Sequence, residues 1–163
     1  MVATSGDVLL APDALAALTR ELIPLATLVT PNLPEAARLL GSAEARSEAE
    51  AADQARALMA LGARGVLLKG GHGTGDTSVD IFVEGTTVTR FSRPRIATRH
   101  THGTGCTLSA AIAAHLAQGV ALAEAVDRAK TFVWEALAAG RTLGLGKGRG
   151  PVDHLWRTRS RDA

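Results

Sequence analysis

Two short apolar runs constrain the fold most: TLVT, from Thr27 to Thr30, and GVLLKGG, from Gly65 to Gly71. Each stops abruptly at proline or glycine, and each is too short for an ordinary helix, so both read as buried strands. Between them, Ser47 to Leu61 carries helical spacing and opens with SEAE, a capping-box pattern with acids in the first turn; Gly62 closes it. Pro12 to Leu25 also repeats apolar residues at helical spacing, with Pro12 suited to a first turn, and a short helix is expected from about Pro34 to Leu40. From Ser78 to Arg90 the pattern changes to strict alternation around Glu84-Gly85, the signature of an antiparallel hairpin. Two long helices come next, about Gly105 to Gln118 and about Ala121 to Ala139. Strands separated by helices predict an α/β protein with a largely parallel sheet, to which the hairpin adds antiparallel strands.

The 163 residues suffice for one domain with a real core. With aromatics at 3% and no tyrosine, that core must be built from Leu, Ala and Val. The net charge of +2 is interspersed along most of the chain. Only the tail, from Lys147 through Arg149, Arg157, Arg159 and Arg161, is clearly basic, and it reads as a solvated terminus rather than a nucleic-acid surface. The single cysteine, Cys106, excludes an internal disulfide framework and fits a reducing compartment. No apolar run approaches the roughly 20 residues that span a bilayer, so the expectation is a cytoplasmic protein with neither membrane nor nucleic-acid partners. The opening MVATSGD reads as chain emerging from a buried strand with no element before it.

In a parallel sheet, ligands sit beyond the carboxyl ends of the strands, which directs attention to PNLPE, KGGH and THGTGC. Two nearly identical glycine-rich loops compete for an anion: HGTGDTS, from His72 to Ser78, and HGTGCT, from His102 to Thr107. The residues after each loop separate the two. HGTGDT runs into the alternating segment and reads as a hairpin entry. HGTGCT runs into LSAAIAAHLA, so its amides add to a helix N-terminus, where unpaired N–H groups and the helix dipole favour an anion. Cys106 falls in that first turn, where the dipole favours a thiolate. Three readings stand for it: an inert thiol, a proton acceptor beside a transferred phosphate, or a metal ligand with His100 and His102, although H-x-H-x3-C matches no established zinc spacing.

Supporting residues have similarly divided readings. Lys69 ends a strand and is either a surface lysine or, beside Gly70 and Gly71, which leave room for a ligand, a charge that reaches phosphate oxygens. Asn32 and Glu35 form N-x-x-E, which is a helix-capping pattern and also a pair that could order water around Mg²⁺ carried by a nucleoside triphosphate. Lys130 reads as an ordinary exposed lysine, and Phe132 and Trp134 as core residues rather than nucleotide stackers.

Taken in order, VATSGD (Val2 to Asp7), TPNLPEA (Thr30 to Ala36), LLKGGH (Leu67 to His72), THGTGCTLSAA (Thr101 to Ala111) and GRGPVDH (Gly148 to His154) resemble the hydroxymethylpyrimidine phosphate kinases of thiamin biosynthesis, within the ribokinase-like superfamily. Most ribokinase-like kinases carry aspartate where this chain has Cys106. The resemblance implies a three-layer α/β/α fold and phosphoryl transfer from ATP, with Mg²⁺, to hydroxymethylpyrimidine or its monophosphate; a pyridoxal-type kinase is a close variant. It implies Cys106 at the catalytic base position and the amides of Gly103, Thr104 and Gly105 as anion hole. It also implies Lys69 on ATP phosphates, Asn32 and Glu35 in the Mg²⁺–phosphate motif, and Thr101 and Lys130 near the nucleotide. The family's N-terminal portion, with its own glycine-rich segment, is absent. The chain is therefore expected to be the C-terminal, ATP-binding part of one domain truncated at its N-terminus. It would act as a homodimer or with a partner supplying the remainder. The competing classes are a non-catalytic nucleotide-binding remnant and a metal-binding protein.

Overall fold

The computed structural model describes residues 10–71 and 75–159, and the chain divides into two compact units between Ser92 and Arg93. The VATSGD motif and the first residues of the HGTGDT loop, His72 to Thr74, lie outside the described residues.

In the first unit the expected helix from Pro12 to Leu25 is helical throughout but changes type. It begins as α1 (Pro12–Ala17), widens to a π-turn over Leu18–Leu22 and tightens to 3-10 geometry over Ile23–Leu25. Pro24 has no N–H with which to continue an i→i−4 ladder, so a regular helix cannot run through it. After α2 (Leu33–Leu40) and α3 (Glu48–Met59) comes a three-stranded sheet, ordered β1 (Gly65–Lys69), β2 (Thr77–Glu84), β3 (Thr87–Pro94). The hairpin is present, with its two-residue turn at Gly85-Thr86, one position later than the alternation suggests.

Among the described residues the three named strands form one sheet with antiparallel β1–β2 pairing, Val66 opposite Val83 and Leu68 opposite Ile81. Parallel pairing survives on β1's other side, where the predicted Thr27–Thr30 strand lies. Val29 N–H donates to Gly65 O (3.1 Å), Leu67 N–H to Val29 O (2.8 Å) and Lys69 N–H to Pro31 O (2.8 Å). Pro31 lacks the N–H that would bond next in this ladder, which reduces the strand to separate bridges at Val29↔Val66 and Asn32↔Lys69.

Val66, Leu68, Ile81 and Val83 project from one sheet face into a core completed by Ala36, Ala51, Ala55 and Leu58 of the two helices. Alanines on the inner faces of α2 and α3 allow close approach of helix to sheet. Leu67 and Phe82 on the opposite face are also buried, which is why β1 reads as continuously apolar. The SEAE cap forms in altered shape: Ser47 Oγ accepts from Glu50 N–H, while the Glu50 carboxylate reaches back one residue further, to Arg46 N–H (2.7 Å).

The second unit is built on two long helices, α4 (Thr104–Ala117) and α5 (Leu122–Ala139), joined by a four-residue turn as an αα-hairpin. Leu108 and Ile112 of α4 are buried, as are Val126, Ala129, Val133 and Ala136 of α5, at helical spacing. A 3-10 turn, Gly140–Thr142, succeeds α5, and a short helix α6 (Trp156–Arg159) ends the described chain. Phe132 and Trp134 are only half-buried: Arg157 lies over the Phe132 ring at 5.7 Å, and the Trp134 indole N–H donates to Pro94 O (2.8 Å). No described helix is long and apolar enough to cross a membrane.

Candidate functional site

The first unit gathers Thr30, Asn32, Glu35 and Lys69 where the 27–32 segment and β1 end side by side. The Asn32↔Lys69 bridge puts these two backbones in register, and Lys69 Nζ donates to Thr30 O at 2.6 Å. Asn32 caps α2 in a complete capping box: its Oδ1 accepts from Glu35 N–H (2.8 Å), and Glu35 Oε2 accepts from Asn32 N–H (2.9 Å). The capping reading of N-x-x-E is therefore real, and it fixes a carboxylate and a lysine at one end of the paired strands.

One expectation about this corner changes. Gly70 does not leave room for a ligand; a Cβ there would collide with the Val79 carbonyl oxygen of β2. Its N–H donates to Asp80 Oδ1 (3.0 Å), a buried carboxylate that sequence reasoning passed over. Gly71, by contrast, has open space at its Cβ position. Asp76, the aspartate of the rival loop, is exposed and leads directly into β2, as expected for a hairpin entry.

The second unit holds the other group. Gly103 is the N-cap of α4 at φ +81°, a left-handed conformation that glycine adopts without strain, and it turns the chain from the His102 bridge into the helix. No side chain caps this helix. Thr104 N–H is directed at Thr101 O (3.3 Å), and the first intrahelical bond is Thr107 N–H to Gly103 O (2.8 Å). Among the described residues the N–H groups of Gly105 and Cys106 have no acceptor, so the two stand open at the positive end of the helix dipole. Of the amides expected to form an anion hole, that of Gly105 is open together with that of Cys106, while Thr104's is drawn to Thr101.

Cys106 is a free, exposed thiol on an open cleft of about 860 Å³, whose wall includes Thr107, Asp127, Arg128 and His154. Thr101 is exposed at the loop's entrance. Lys130 is not the exposed lysine its sequence context suggests; it is 7% exposed on the inner side of α5. Among the described residues no three His, Cys, Asp or Glu side chains converge to hold a metal ion, and the His100 ring is packed against Gly150. Glu35, the one carboxylate expected to serve Mg²⁺, already spends one oxygen on the Asn32 amide, a donor set suited to an ion that keeps its waters and is carried on phosphates. Asn32, Glu35 and Lys69 therefore meet in the first unit, and Thr101 to Cys106 form the loop and first turn of α4 in the second, with Lys130 buried on α5. Sequence reasoning also gave no role to His154, whose Nε2 lies 2.9 Å from Thr107 Oγ1 across 47 positions of chain.

The phosphomethylpyrimidine kinase family model matches residues 1–153. The hydroxymethylpyrimidine/phosphomethylpyrimidine kinase of Rhizobium meliloti (strain 1021) is 58% identical over 157 residues, covering 96% of this chain and 59% of that protein. Among solved structures, the Staphylococcus aureus pyridoxal kinase in complex with AMP-PCP superposes with a TM-score of 0.86 at 35% identity, covering 94% of this chain and 55% of its own. The Clostridium difficile 630 phosphomethylpyrimidine kinase does so with a TM-score of 0.71 at 36% identity, over 84% and 54% respectively. The chain thus spans a little over half the length of each.

Proposed function

This chain belongs to the phosphomethylpyrimidine kinase family, and on that premise we propose that it carries the nucleotide-handling part of a kinase that phosphorylates hydroxymethylpyrimidine or its monophosphate in thiamin biosynthesis. The observation that carries the proposal is the N-terminus of α4, where the Gly105 and Cys106 amides open beside an exposed thiol. Phosphoryl transfer needs positioning and charge neutralisation, and these groups supply both.

In this reading the amides of Gly105 and Cys106, presented by the turn at Gly103 and Thr104, hold the phosphoryl oxygens, and Cys106 Sγ accepts the proton of the substrate hydroxyl. Lys69 neutralises charge on the ATP phosphates. Thr101 and Lys130 border the nucleotide, while Asn32 and Glu35 hold the hydration shell of Mg²⁺. The bound ATP–Mg²⁺ would supply the transferred group and its charge compensation. The two compact units are parts of one ribokinase-like domain, whose three-layer, mostly parallel sheet is completed by residues N-terminal to the motifs present here. Those residues come from the same polypeptide or from a partner, and the working protein is a cytoplasmic homodimer.

The likeness to the S. aureus pyridoxal kinase favours a second reading, pyridoxal as substrate on the same machinery. Coupled ADP-release assays with ATP–Mg²⁺ on the protein completed with the family's N-terminal portion separate the two. Turnover that depends on hydroxymethylpyrimidine or its phosphate, well above that with pyridoxal, is expected. Preference for pyridoxal would select the second reading. Nucleotide binding without turnover on either substrate would leave a non-catalytic module and overturn both.

A further inference from the structure

The loop that carries Cys106 is held from the far end of the chain. His102 and Pro151 form a parallel bridge, with His102 N–H donating to Gly150 O (3.1 Å) and Val152 N–H to His102 O (3.3 Å). The strap that makes this bridge is itself firmly seated. A Cβ on Gly150 would collide with the His100 ring, Val152 and Asp153 are buried, and Asp153 N–H donates to Ala136 O on α5 (3.1 Å). The next residue, His154, then reaches Thr107 on the other side of the loop.

The hydroxyl's inventory sets the direction of that last contact. Thr107 Oγ1 has one proton and directs it at Gly103 O, 2.8 Å away. With that proton on Gly103 O, the 2.9 Å contact with His154 Nε2 is one that the ring donates. The relay runs from His154 N–H to the Thr107 hydroxyl to the carbonyl of Gly103, the residue whose positive φ turns the loop into α4.

We propose that His154 is a positioning residue for the anion site. Through the Thr107 hydroxyl it holds the Gly103 carbonyl back into the helix, and so keeps the Gly105 and Cys106 amides pointing outward. Together with the His102–Pro151 bridge it makes Gly150 to His154 a strap that clamps the loop on both sides. That an anion, a phosphate of the nucleotide, binds at these amides rests on the kinase reading above.

The test is an NMR titration of the ¹⁵N-labelled intact protein with inorganic phosphate and, separately, with AMP-PCP, tracking the Gly105 and Cys106 amides. Variants are His154→Phe, His154→Gln, Thr107→Val and Thr107→Ser. His154→Phe and Thr107→Val are expected to weaken phosphate about tenfold each, with the double variant no worse than either, because both break one relay. His154→Gln and Thr107→Ser, which keep a donor and a hydroxyl, should stay within about threefold of the parent. Long-range ¹H–¹⁵N spectra should show the proton of His154 on Nε2, and hydrogen exchange at Gly105 to Thr107 should quicken only in the disruptive variants. Additive losses, failure of glutamine to rescue, or a His154 proton on Nδ1 alone would overturn the proposal. Should His154→Phe not fold, the Thr107 pair carries the same comparison. A parent protein that binds neither phosphate nor AMP-PCP would overturn the kinase reading, while the tautomer and the exchange rates would still decide whether the strap holds the loop.

Discussion

Cys106 stands in the third position of α4, exposed, with two unpaired amides at its level, so its role is separable from the stability of the helix. In the completed kinase, Cys106→Ala is expected to cut kcat by about 10²–10⁴-fold, the range of a lost proton acceptor. Binding of AMP-PCP should stay within a few-fold, as read by calorimetry. Unchanged kcat would remove the thiol from the reaction. Asp76→Ala, in the loop that leads into β2, should leave kcat and thermal midpoint unaltered. Gly70→Ala tests a different residue-level constraint. Its methyl must displace the Val79 carbonyl, so the substitution should destabilise by about 1–3 kcal/mol in urea titration, with no direct effect on ligand contacts.

At the scale of elements, α2 shows how a local device serves a site. The reciprocal Asn32–Glu35 box satisfies orphan N–H groups of the helix and at the same time holds the carboxylate near Lys69. Asn32→Ala should therefore cost about 1 kcal/mol of stability, seen by denaturant unfolding, and lower activity beyond what that loss explains. Asn32→Asp, which preserves the cap, should recover the stability. The contact between α3 and β3 is of another kind: Arg90 meets Glu48 through two bonds, Nε to Oε2 at 2.7 Å and Nη2 to Oε1 at 3.0 Å. The hydrogen bond from Arg90 holds the Glu48 carboxyl below its ordinary range. A depressed folded-state pKa contributes stability that is present above the unfolded carboxylate's pKa and lost as pH falls through the folded one. The pair is exposed, so its share is small and salt-screened. Acid unfolding of Glu48→Gln should begin from slightly lower stability at neutral pH and converge with the parent at low pH. The gap should narrow in 1 M NaCl.

For the whole molecule, the decisive fact is that the chain spans 59% of the length of its R. meliloti relative and carries two groups of site residues in two compact units. The isolated 163 residues are expected to turn over substrate poorly and to gain activity when the part of the relatives' length that they do not span is supplied, in cis or as a separate polypeptide. Robust kcat from the isolated chain would contradict this. Much of the architecture was legible. The α3, α4 and α5 patterns predict helices within two residues of where they lie, because helical periodicity and caps are written in neighbours three or four apart. That HGTGCT enters a helix and HGTGDT a strand was legible in the residues immediately after each loop. The pairing of β1 was not legible: an apolar run buried on both faces looks the same beside parallel or antiparallel neighbours, and here it has one of each.

By itself, then, the sequence determined the α/β class, the helix carrying Cys106, the capping box at Asn32 and the family to which the motifs belong. All of these depend on contacts within a few residues or on ordered motifs. Tertiary structure alone decided that Gly70 accommodates a strand rather than a ligand, that Lys130 is buried, and that His154 closes onto Thr107. Gly70 meets Val79 and His154 meets Thr107 across stretches of chain over which local spacing carries no information about which atoms meet, and the burial of Lys130 depends on packing that its neighbours in sequence do not specify.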